Sequence, residues 1–316
     1  MEVQEKKVTE KSKVVKKKKP VWREWVDAAL FAIIAATLIR TFIFEAYTIP
    51  TGSMEGSLLI NDFLFVSKLS YGPRVPMTPL AVPLVHNSLP FTGGKSYIDG
   101  VQWKYHRLPG FGKVERNDVV VFNYPAGDTV MAERPADDYY SALRDEFNSD
   151  REAINSSYHI IERPIDKEEN YIKRCVGLPG DKLEVRDAIL YINDQPAKTY
   201  PHQKRWYSIV TKNAGIADYI EDNDIESVAR MTGQNNTYNL ENVQVQDLKK
   251  LANVVDVVPF LFPKGTIWEA GIFPQDTANF KWNRDNYGPI IIPKEGVTVQ
   301  LTPQTIALYR RVIRNY

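Results

Sequence analysis

An apolar segment near the N-terminus constrains the fold of this 316-residue chain more than any other feature. Residues 28–44 (AALFAIIAATLIRTFIF) are apolar except for Thr37, Arg40 and Thr41. A helix over these residues would rise about 26 Å, close to the ~30 Å hydrocarbon core of a bilayer. Arg40 lies near one end, where its long side chain can reach the interface. The flanks carry aromatic residues typical of membrane interfaces, namely Trp22, Trp25 and Tyr47.

Two other interpretations of this segment are a buried core helix and a cleaved signal peptide. A signal peptide should be followed by a small-x-small cleavage site, but Phe42, Phe44 and Glu45 stand where that site should be. We therefore predict an uncleaved, single-pass anchor over residues 22–46, with the lipid bilayer as its partner.

The charge distribution predicts the orientation of the anchor. Residues 1–20 contain eight Lys and three Glu without apolar periodicity, which is typical of a solvated, disordered tail. Since positive residues stay inside, residues 1–21 should be a cytoplasmic tail. The chain after Tyr47 should then lie on the outer, periplasmic side of the cytoplasmic (inner) membrane.

Composition argues against several other classes of function. The formal net charge is +1, so no nucleic-acid surface is predicted. Cys175 is the one cysteine, which makes an intrachain disulfide impossible; its strand-like surroundings suggest a small buried apolar side chain. The sequence has no HExxH motif, and its histidines have no metal-ligand spacing: His86, His106, His159 and His202. No metal or other cofactor is expected.

Alternation and turn signals after the anchor predict a mostly β fold. Strands are expected over residues 58–68, 117–124, 171–178, 182–186, 189–192 and 297–301. Helices are expected over residues 137–160, 224–231, 243–252 and 305–316. Thr302 is a candidate N-cap of the last helix, and Pro303 suits its first position. The helix over residues 137–160 is amphipathic and suggests a surface cover.

The predicted fold class is a mostly β domain with α/β cap insertions, preceded by one transmembrane helix. The β domain should cover residues 47–196. Insertions are expected at residues 72–112, which are rich in Pro and Gly, and at residues 126–170. Residues 197–316 would form a further cap region.

Ser53 is the first candidate for chemistry. It lies between Gly52 and Met54, directly before a strand-like run. A preceding glycine lets the backbone turn sharply and expose both the hydroxyl and the amide. Such a serine can attack a carbonyl while its N–H holds the oxyanion. On these residues alone, an ordinary Gly-Ser turn is the commoner interpretation.

Three stretches carry a resemblance to a known family. IPTGSM at residues 49–54, followed by LLINDFLFVSK, resembles the nucleophile box of bacterial type I signal peptidases. YIKRCVGLPGD at residues 171–181 resembles the lysine box of that family, and NDVVVFNYP at residues 117–125 resembles its connecting strand. The three stretches follow the family's order behind an apolar segment. The resemblance implies a signal-peptidase-like β fold and a serine endopeptidase, signal peptidase I.

The resemblance implies a Ser–Lys dyad. Ser53 would be the nucleophile, and Lys173 would be the general base. A lysine at its ordinary pKa of ~10.4 is protonated, but burial can lower that pKa by several units. The Ser53 N–H and the Thr51 hydroxyl would be the oxyanion donors. Without the resemblance, Lys173 reads as an exposed strand lysine that shares a face with Tyr171.

The resemblance also implies a substrate class. Five residues match positions that line the family's shallow pockets for small side chains: Tyr47, Ile49, Pro50, Leu58 and Ile172. The expected substrates are secreted preproteins, cleaved after a small-x-small sequence such as Ala-x-Ala while held along a strand edge. As structure alone, all five could equally be core residues.

The sequence departs from the family pattern in several places. Asn61-Asp62 and Asn117-Asp118 replace Gly-Asp, which is a mild change because Asn tolerates the left-handed backbone. Gly56-Ser57 replaces Pro-Thr. The family's last box, Gly-Asp-Asn-Arg-x-x-Ser-x-Asp-Ser-Arg, is missing. WNRDNYGP at residues 282–289 resembles it only superficially, so no role is assigned to it.

These departures lead us to expect a truncated peptidase, and they leave two alternatives. One is a catalytically incompetent pseudo-peptidase that acts as an anchored preprotein-binding module. The other is a self-cleaving repressor-type Ser–Lys protease, which the anchor and the absence of a DNA-binding N-terminal domain disfavour. Serine esterases are disfavoured because the sequence around Ser53 is not G-x-S-x-G.

Overall fold

The computed structural model describes residues 20–125, 127, 129–135, 137–212, 215–267 and 271–315, without the side chains of residues 314 and 315. The tail predicted for residues 1–21 lies outside this part of the chain except for Pro20 and Val21. Residues 126, 128 and 136 of the second predicted insertion also lie outside it.

Short strands account for most of the regular structure. They are β1 (Phe44–Thr48), β2 (Phe63–Ser67), β3 (Val119–Asn123), β4 (Thr129–Met131), β5 (Ile160–Glu162), β6 (Asn170–Arg174), β7 (Lys182–Arg186), β8 (Ile189–Ile192), β9 (Gln195–Pro196), β10 (Lys204–Thr211), β11 (Thr237–Glu241), β12 (Val254–Pro259) and β13 (Tyr287–Ile291). The helices are α1 (Val21–Phe42), α2 (Tyr139–Asp145), α3 (Arg151–Ser157), α4 (Ala217–Asp222), α5 (Ala229–Thr232), α6 (Asn242–Leu248) and α7 (Ile306–Asn315). Short 3₁₀ turns lie at Gly52–Met54 and Ile165–Lys167.

Helix α1 is the one helix of the described chain that is long and apolar enough to cross a membrane. Its 22 residues rise about 33 Å, and none of them is buried against the rest of the protein. The helix ends at Phe42, and β1 begins two residues later. The helical part of the predicted anchor is therefore shorter than residues 22–46, whose last residues belong to β1.

Two antiparallel strand pairs hold the stretches that resemble the family boxes. β1 pairs with β2, with Tyr47 opposite Leu64. β3 pairs with β6, which sets Val120 opposite Lys173. A third pair, β4 with β5, packs against α2 and α3 through a small apolar cluster of Met131, Tyr139, Ala142, Leu143 and Ile154.

Two larger sheets follow. One has the order β13-β7-β8-β9, so β13 returns from the C-terminal part of the chain to pair with β7. The other has the order β11-β10-β12 and carries the larger core cluster, which α4 and α6 cover. That cluster consists of Tyr207, Ile209, Ile225, Leu240, Val245, Leu248, Val254 and Val257. The predicted boundary between the β domain of residues 47–196 and the cap of residues 197–316 stays a prediction. The pairing of β13 with β7 joins these two regions in one sheet.

The predicted fold class is confirmed: the described chain is mostly β, with several helices and one N-terminal apolar helix that could span a membrane. The strands predicted at residues 182–186 and 189–192 are β7 and β8. Their tight turn has both central residues, Asp187 and Ala188, at positive φ, as a two-residue hairpin requires.

The single helix predicted over residues 137–160 is wrong, because the chain forms α2 and α3 instead. Asn148 and Ser149 take positive φ, and the Asp150 side chain then caps α3. The predicted apolar face is nevertheless buried, with Leu143 and Ile154 in the cluster against β4.

Three other element predictions need correction. No strand forms over residues 297–301: no described strand pairs with this backbone, and Val297 and Leu301 stay exposed. Positive φ at Asp224 delays the predicted helix there, which becomes α5. Residues 58–62 form a turn, because the Leu58 amide binds the Met54 carbonyl and Asn61 takes positive φ.

Candidate functional site

Ser53 lies in the 3₁₀ turn that follows β1. Thr51 is still extended, and the Glu55 N–H closes the turn on the Gly52 carbonyl at 3.0 Å. Buried side chains hold both ends of the turn, since Ile49 is 2% exposed and Met54 is 7% exposed. Ser53 itself is exposed, so the fold presents its hydroxyl to solvent on a fixed turn.

Lys173 reaches Ser53 from a strand that is distant in sequence. Its Nζ donates a hydrogen bond of 2.7 Å to Ser53 Oγ, across 120 residues of chain, and one of 2.8 Å to the Ile172 carbonyl. The Tyr171 ring lies on the same side of β6, 5.8 Å from the ammonium. Burial lowers the pKa of Lys173, because a half-buried ammonium loses part of its hydration.

Thr51 is the other hydroxyl beside the nucleophile. Its Oγ1 lies 3.5 Å from Ser53 Oγ. The two hydroxyls and the Ser53 amide are therefore next to each other at an exposed turn. This arrangement can present two donors to one oxygen atom.

The residues predicted to bind substrate occupy different environments. Tyr47, Leu58 and Ile172 line one cavity of about 720 Å³. Ile49 is buried in the base of the nucleophile turn, and Pro50 is exposed beside it; neither lines that cavity. Burial and the nearby Glu45 carboxylate raise the pKa of Tyr47, so its phenol stays protonated.

An ion-paired cluster joins the end of α1 to the strand pair that precedes the site. Glu45 binds both Arg40 at 2.7 Å and Lys68 at 2.8 Å. Burial alone would raise the pKa of Glu45, but the hydrogen bonds and charges of Lys68 and Arg40 outweigh it and lower that pKa. Arg40 therefore pairs with protein at this end of the helix, where the sequence suggested an interfacial side chain.

A larger cavity, of about 1620 Å³, borders the nucleophile turn. Its wall combines residues 52–57 with residues 195–206, and Arg284 and Asp285 also line it. Apart from Ser53, sequence reasoning assigned no site residue to this wall. Glu55 and Lys204 form an ion pair across it at 2.5 Å, which no spacing in the sequence signals.

The stretch that superficially resembles the missing box is a structural turn. The Asn283 side chain is fully buried and binds the backbone of Pro263 and Thr266. Asp285 accepts the Phe262 N–H at 2.8 Å, and burial raises the pKa of that carboxyl group. These bonds fix the chain before β13, and none of them reaches Lys173.

In the described part of the chain, no cluster of three or more His, Cys, Asp or Glu side chains could hold a metal ion. Cys175 is half-buried, and its thiol lies 3.5 Å from the Gly177 carbonyl. The side chains that contact Ser53 Oγ in the described part of the chain are the Lys173 amine and the Thr51 hydroxyl.

Comparisons with known proteins point to one family. A family model described as signal peptidase, peptidase S26, matches residues 22–271. The curated relatives include Signal peptidase I of Rickettsia akari (strain Hartford), 31% identical over 173 residues, which are 55% of this chain and 43% of the relative. Signal peptidase I of Rickettsia canadensis (strain McKiel) is 32% identical over the same shares. The chain spans less than half the length of these relatives.

Proposed function

We propose, because this chain belongs to the signal peptidase family, peptidase S26, that it is a membrane-anchored serine endopeptidase. It would remove signal peptides from exported preproteins by cutting after a small-x-small sequence of the Ala-x-Ala type. Ser53 would be the nucleophile and Lys173 the general base. The observation that carries this proposal is the 2.7 Å hydrogen bond between Lys173 Nζ and Ser53 Oγ.

The geometry supports the amine as the base. In the described part of the chain, the side-chain partners of Ser53 Oγ are the Lys173 amine and the Thr51 hydroxyl. Of these two, only the amine can take a proton near neutral pH, and only in its neutral form. Burial favours that form, since it penalises the charged one.

Acylation would run in two steps. Neutral Lys173 accepts the Ser53 hydroxyl proton while Oγ attacks the scissile carbonyl carbon, which gives a tetrahedral oxyanion and an ammonium. The intermediate then collapses: the C–N bond breaks, and the ammonium gives its proton to the departing amine. The mature protein leaves with a free N-terminus, and the signal peptide remains as an ester on Ser53.

Deacylation would use the same groups with water as the nucleophile. The neutral amine takes a proton from water, whose oxygen attacks the ester carbon. Collapse of the second oxyanion breaks the bond to Ser53 Oγ, which recovers the proton from Lys173. The signal peptide leaves as a carboxylic acid, and the enzyme returns to its starting state.

Two donors would stabilise each oxyanion. The Ser53 N–H belongs to the turn that carries the nucleophile, and Thr51 Oγ1 lies 3.5 Å from Ser53 Oγ. Donors that are already oriented need no rearrangement when the charge forms. The adjacent cavity lined by Tyr47, Leu58 and Ile172 is where we propose that the small side chains bind.

Helix α1 supports a site close to the membrane. Only β1 and a short turn separate its end at Phe42 from Ser53. The excess of Lys before the helix favours a cytoplasmic N-terminus and a catalytic domain on the outer face of the inner membrane. A preprotein held in the bilayer by its signal peptide would then meet Ser53 without leaving the membrane.

The direct test is cleavage of a preprotein that has an Ala-x-Ala site, with the full chain in detergent. The expected result is a product whose N-terminus begins after the second Ala, and loss of that product in Ser53→Ala and Lys173→Met. Lys182→Met is a matched control, because the Lys182 ammonium binds the exposed Asp194 in the turn between β8 and β9.

An inactive parent chain would contradict the claim that these residues form a working enzyme. If that parent still bound the preprotein, the anchored binding module that the sequence left open would be the better account. Cleavage that survives in Ser53→Ala would refute the proposed nucleophile.

A further inference from the structure

The segment of residues 200–204, here called the strap, contacts the loop of residues 52–57, here called the nucleophile loop. We propose that the strap holds the nucleophile loop in register with Lys173, so that Glu55, Lys204 and Tyr200 are positioning residues for the reaction. This inference rests on the proposed function, because it concerns the geometry of the same Ser–Lys pair.

The first contact is the ion pair between Lys204 and Glu55. The Lys204 ammonium lies 2.5 Å from Glu55 Oε2, and both side chains are about one-third exposed. The Glu55 carboxylate folds back over Gly52, where a Cβ would come within 2.4 Å of Oε1. Lys204 therefore fixes a carboxylate that lies against the turn carrying Ser53.

The second contact is steric. Gly56 has a φ of +80°, and a Cβ there would meet both the Cβ atom and the carbonyl oxygen of His202 at 2.8 Å. The strap therefore lies against the backbone of the nucleophile loop at this point. The His202 ring is in turn held by Glu241, at 2.7 Å from Nδ1 to the carboxylate.

The third contact links the strap to the strand of the base. The Arg174 guanidinium stacks over the Tyr200 ring at 5.0 Å and donates to Ser57 Oγ at 2.7 Å. It also donates to the Asn117 carbonyl at 2.8 Å. Arg174 directly follows Lys173 on β6, so this contact ties the nucleophile loop to the neighbour of the proposed base.

The strap is itself anchored on the second large sheet. Lys204 begins β10 and pairs with Glu241 at the end of β11. The Asn242 side chain donates to the Tyr200 carbonyl at 2.7 Å, and the Val243 N–H donates to the Pro201 carbonyl. The three contacts therefore connect the turn that carries Ser53 to a folded sheet, which limits how far the turn can move.

These contacts matter more for geometry than for global stability. Ion pairs that are partly exposed to solvent contribute little to the free energy of unfolding. A displacement of about 1 Å in a reacting group, however, can lower a rate about 10²-fold. Loss of the strap contacts should consequently lower kcat while the protein stays folded.

The first measurement is steady-state cleavage by Lys204→Met and by Glu55→Gln. We expect kcat to fall about tenfold in each, with KM within about twofold of the parent. Lys204→Arg should retain most of the rate, and the reversed pair of Glu55→Lys with Lys204→Glu should recover part of it. Lys182→Met, which breaks the exposed pair with Asp194, is the matched control and should behave as the parent.

The second measurement does not depend on activity. The amides of Glu55, Ser57 and Leu58 bind carbonyls inside the nucleophile loop, so their hydrogen exchange reports its order. Exchange of residues 52–58 should be faster in Lys204→Met than in the parent and in Lys182→Met, at an unchanged melting temperature.

Unchanged exchange together with an unchanged kcat in Lys204→Met would overturn the inference. An equal fall of kcat in Lys182→Met would also overturn it, because the effect would not be specific to the strap. If the parent chain does not cleave preproteins, the proposed function fails, and the exchange comparison alone decides whether the strap orders the loop.

Discussion

Lys173 owes its lowered pKa to a single cause, the loss of hydration in its half-buried place on β6. Among the described residues, no carboxylate forms an ion pair with its ammonium that would oppose this effect. Its hydrogen bonds go to the Ser53 hydroxyl and to the Ile172 carbonyl. At the scale of a residue, the proposed base is therefore a lysine whose ammonium form costs more free energy at this site than in water.

The pH dependence of cleavage should follow the protonation of Lys173. A general base works only when it is unprotonated, so kcat/KM should rise with pH and fall as pH drops through the lowered pKa. The midpoint of this rise should lie below ~10.4, the ordinary lysine value. A pH–rate profile of the parent chain with a preprotein substrate checks this, and a flat profile on the acid side would contradict it.

Thr51 should contribute to the rate and not to substrate binding. Thr51→Val keeps the shape of the side chain and removes the proposed oxyanion donor, so kcat should fall about 10²-fold with KM nearly unchanged. Thr51→Ser keeps the hydroxyl and is the matched control. A large change of KM in Thr51→Val, with kcat preserved, would assign Thr51 to ground-state binding instead.

At the scale of elements, the long excursion over residues 72–112 is fixed by a few buried polar contacts. Asp166 Oδ2 accepts hydrogen bonds from Met77 N, Thr78 N and Thr78 Oγ1 at 2.9–3.1 Å. The buried Lys167 ammonium donates to the His86 carbonyl at 3.0 Å. The excursion is therefore pinned to the 3₁₀ turn before β6.

Removing the Asp166 carboxylate should destabilise the protein. Thr78 is 3% exposed, so Asp166→Ala leaves its donors without their acceptor in a place that water does not reach. The free energy of unfolding should fall by about 2–3 kcal/mol. Urea denaturation measures this, with Asp99→Ala, which breaks an exposed pair with Lys95, as the control. Equal stabilities of the two variants would contradict the account.

The elements that the sequence predicted well are those whose signals are local. β7 and β8 alternate on either side of a two-residue turn, and their bounds agree with the prediction. The helix predicted over residues 137–160 failed because positive φ at Asn148 and Ser149 interrupts a continuous apolar face. The strand predicted at residues 297–301 failed because a strand needs a partner, which a local pattern does not specify.

The candidate site was harder to predict from local sequence patterns, because its residues are distant from each other in the chain. Ser53 and Lys173 are 120 residues apart, and only the resemblance to a family of Ser–Lys peptidases linked them. The Glu55–Lys204 pair was not anticipated, since an acidic residue and a lysine 149 positions apart give no signal in the sequence. Contacts of this kind depend on how sheets pack, which periodicity does not determine.

At the scale of the whole molecule, the apolar surface of α1 needs an apolar surrounding. Phe31 and Trp25 are each 74% exposed, and no residue of α1 is buried by the protein. An exposed apolar stripe of this length is costly in water and favourable in a bilayer. The Glu45 cluster would then connect the membrane segment to the folded domain.

Charges at the middle of α1 should release the protein from membranes. Phe31→Arg combined with Ile34→Arg adds two residues that each cost ~2.5–3.5 kcal/mol at a helix centre in the bilayer. The expected result is recovery in the soluble fraction after alkaline carbonate extraction. Phe31→Leu with Ile34→Leu is the matched control and should stay in the pellet. Retention of the arginine variant in the pellet would argue against a spanning helix.

The most direct test of the account is to label the nucleophile with an activated ester of an Ala-x-Ala tripeptide and to locate the acyl group by mass spectrometry. The leaving group of such an ester needs no proton, so the rate reports activation of Ser53 by Lys173. We expect an adduct on Ser53, none on that residue in Ser53→Ala, and acylation at least about 10²-fold slower in Lys173→Met. An adduct on another residue, or equal acylation rates with and without Lys173, would contradict it.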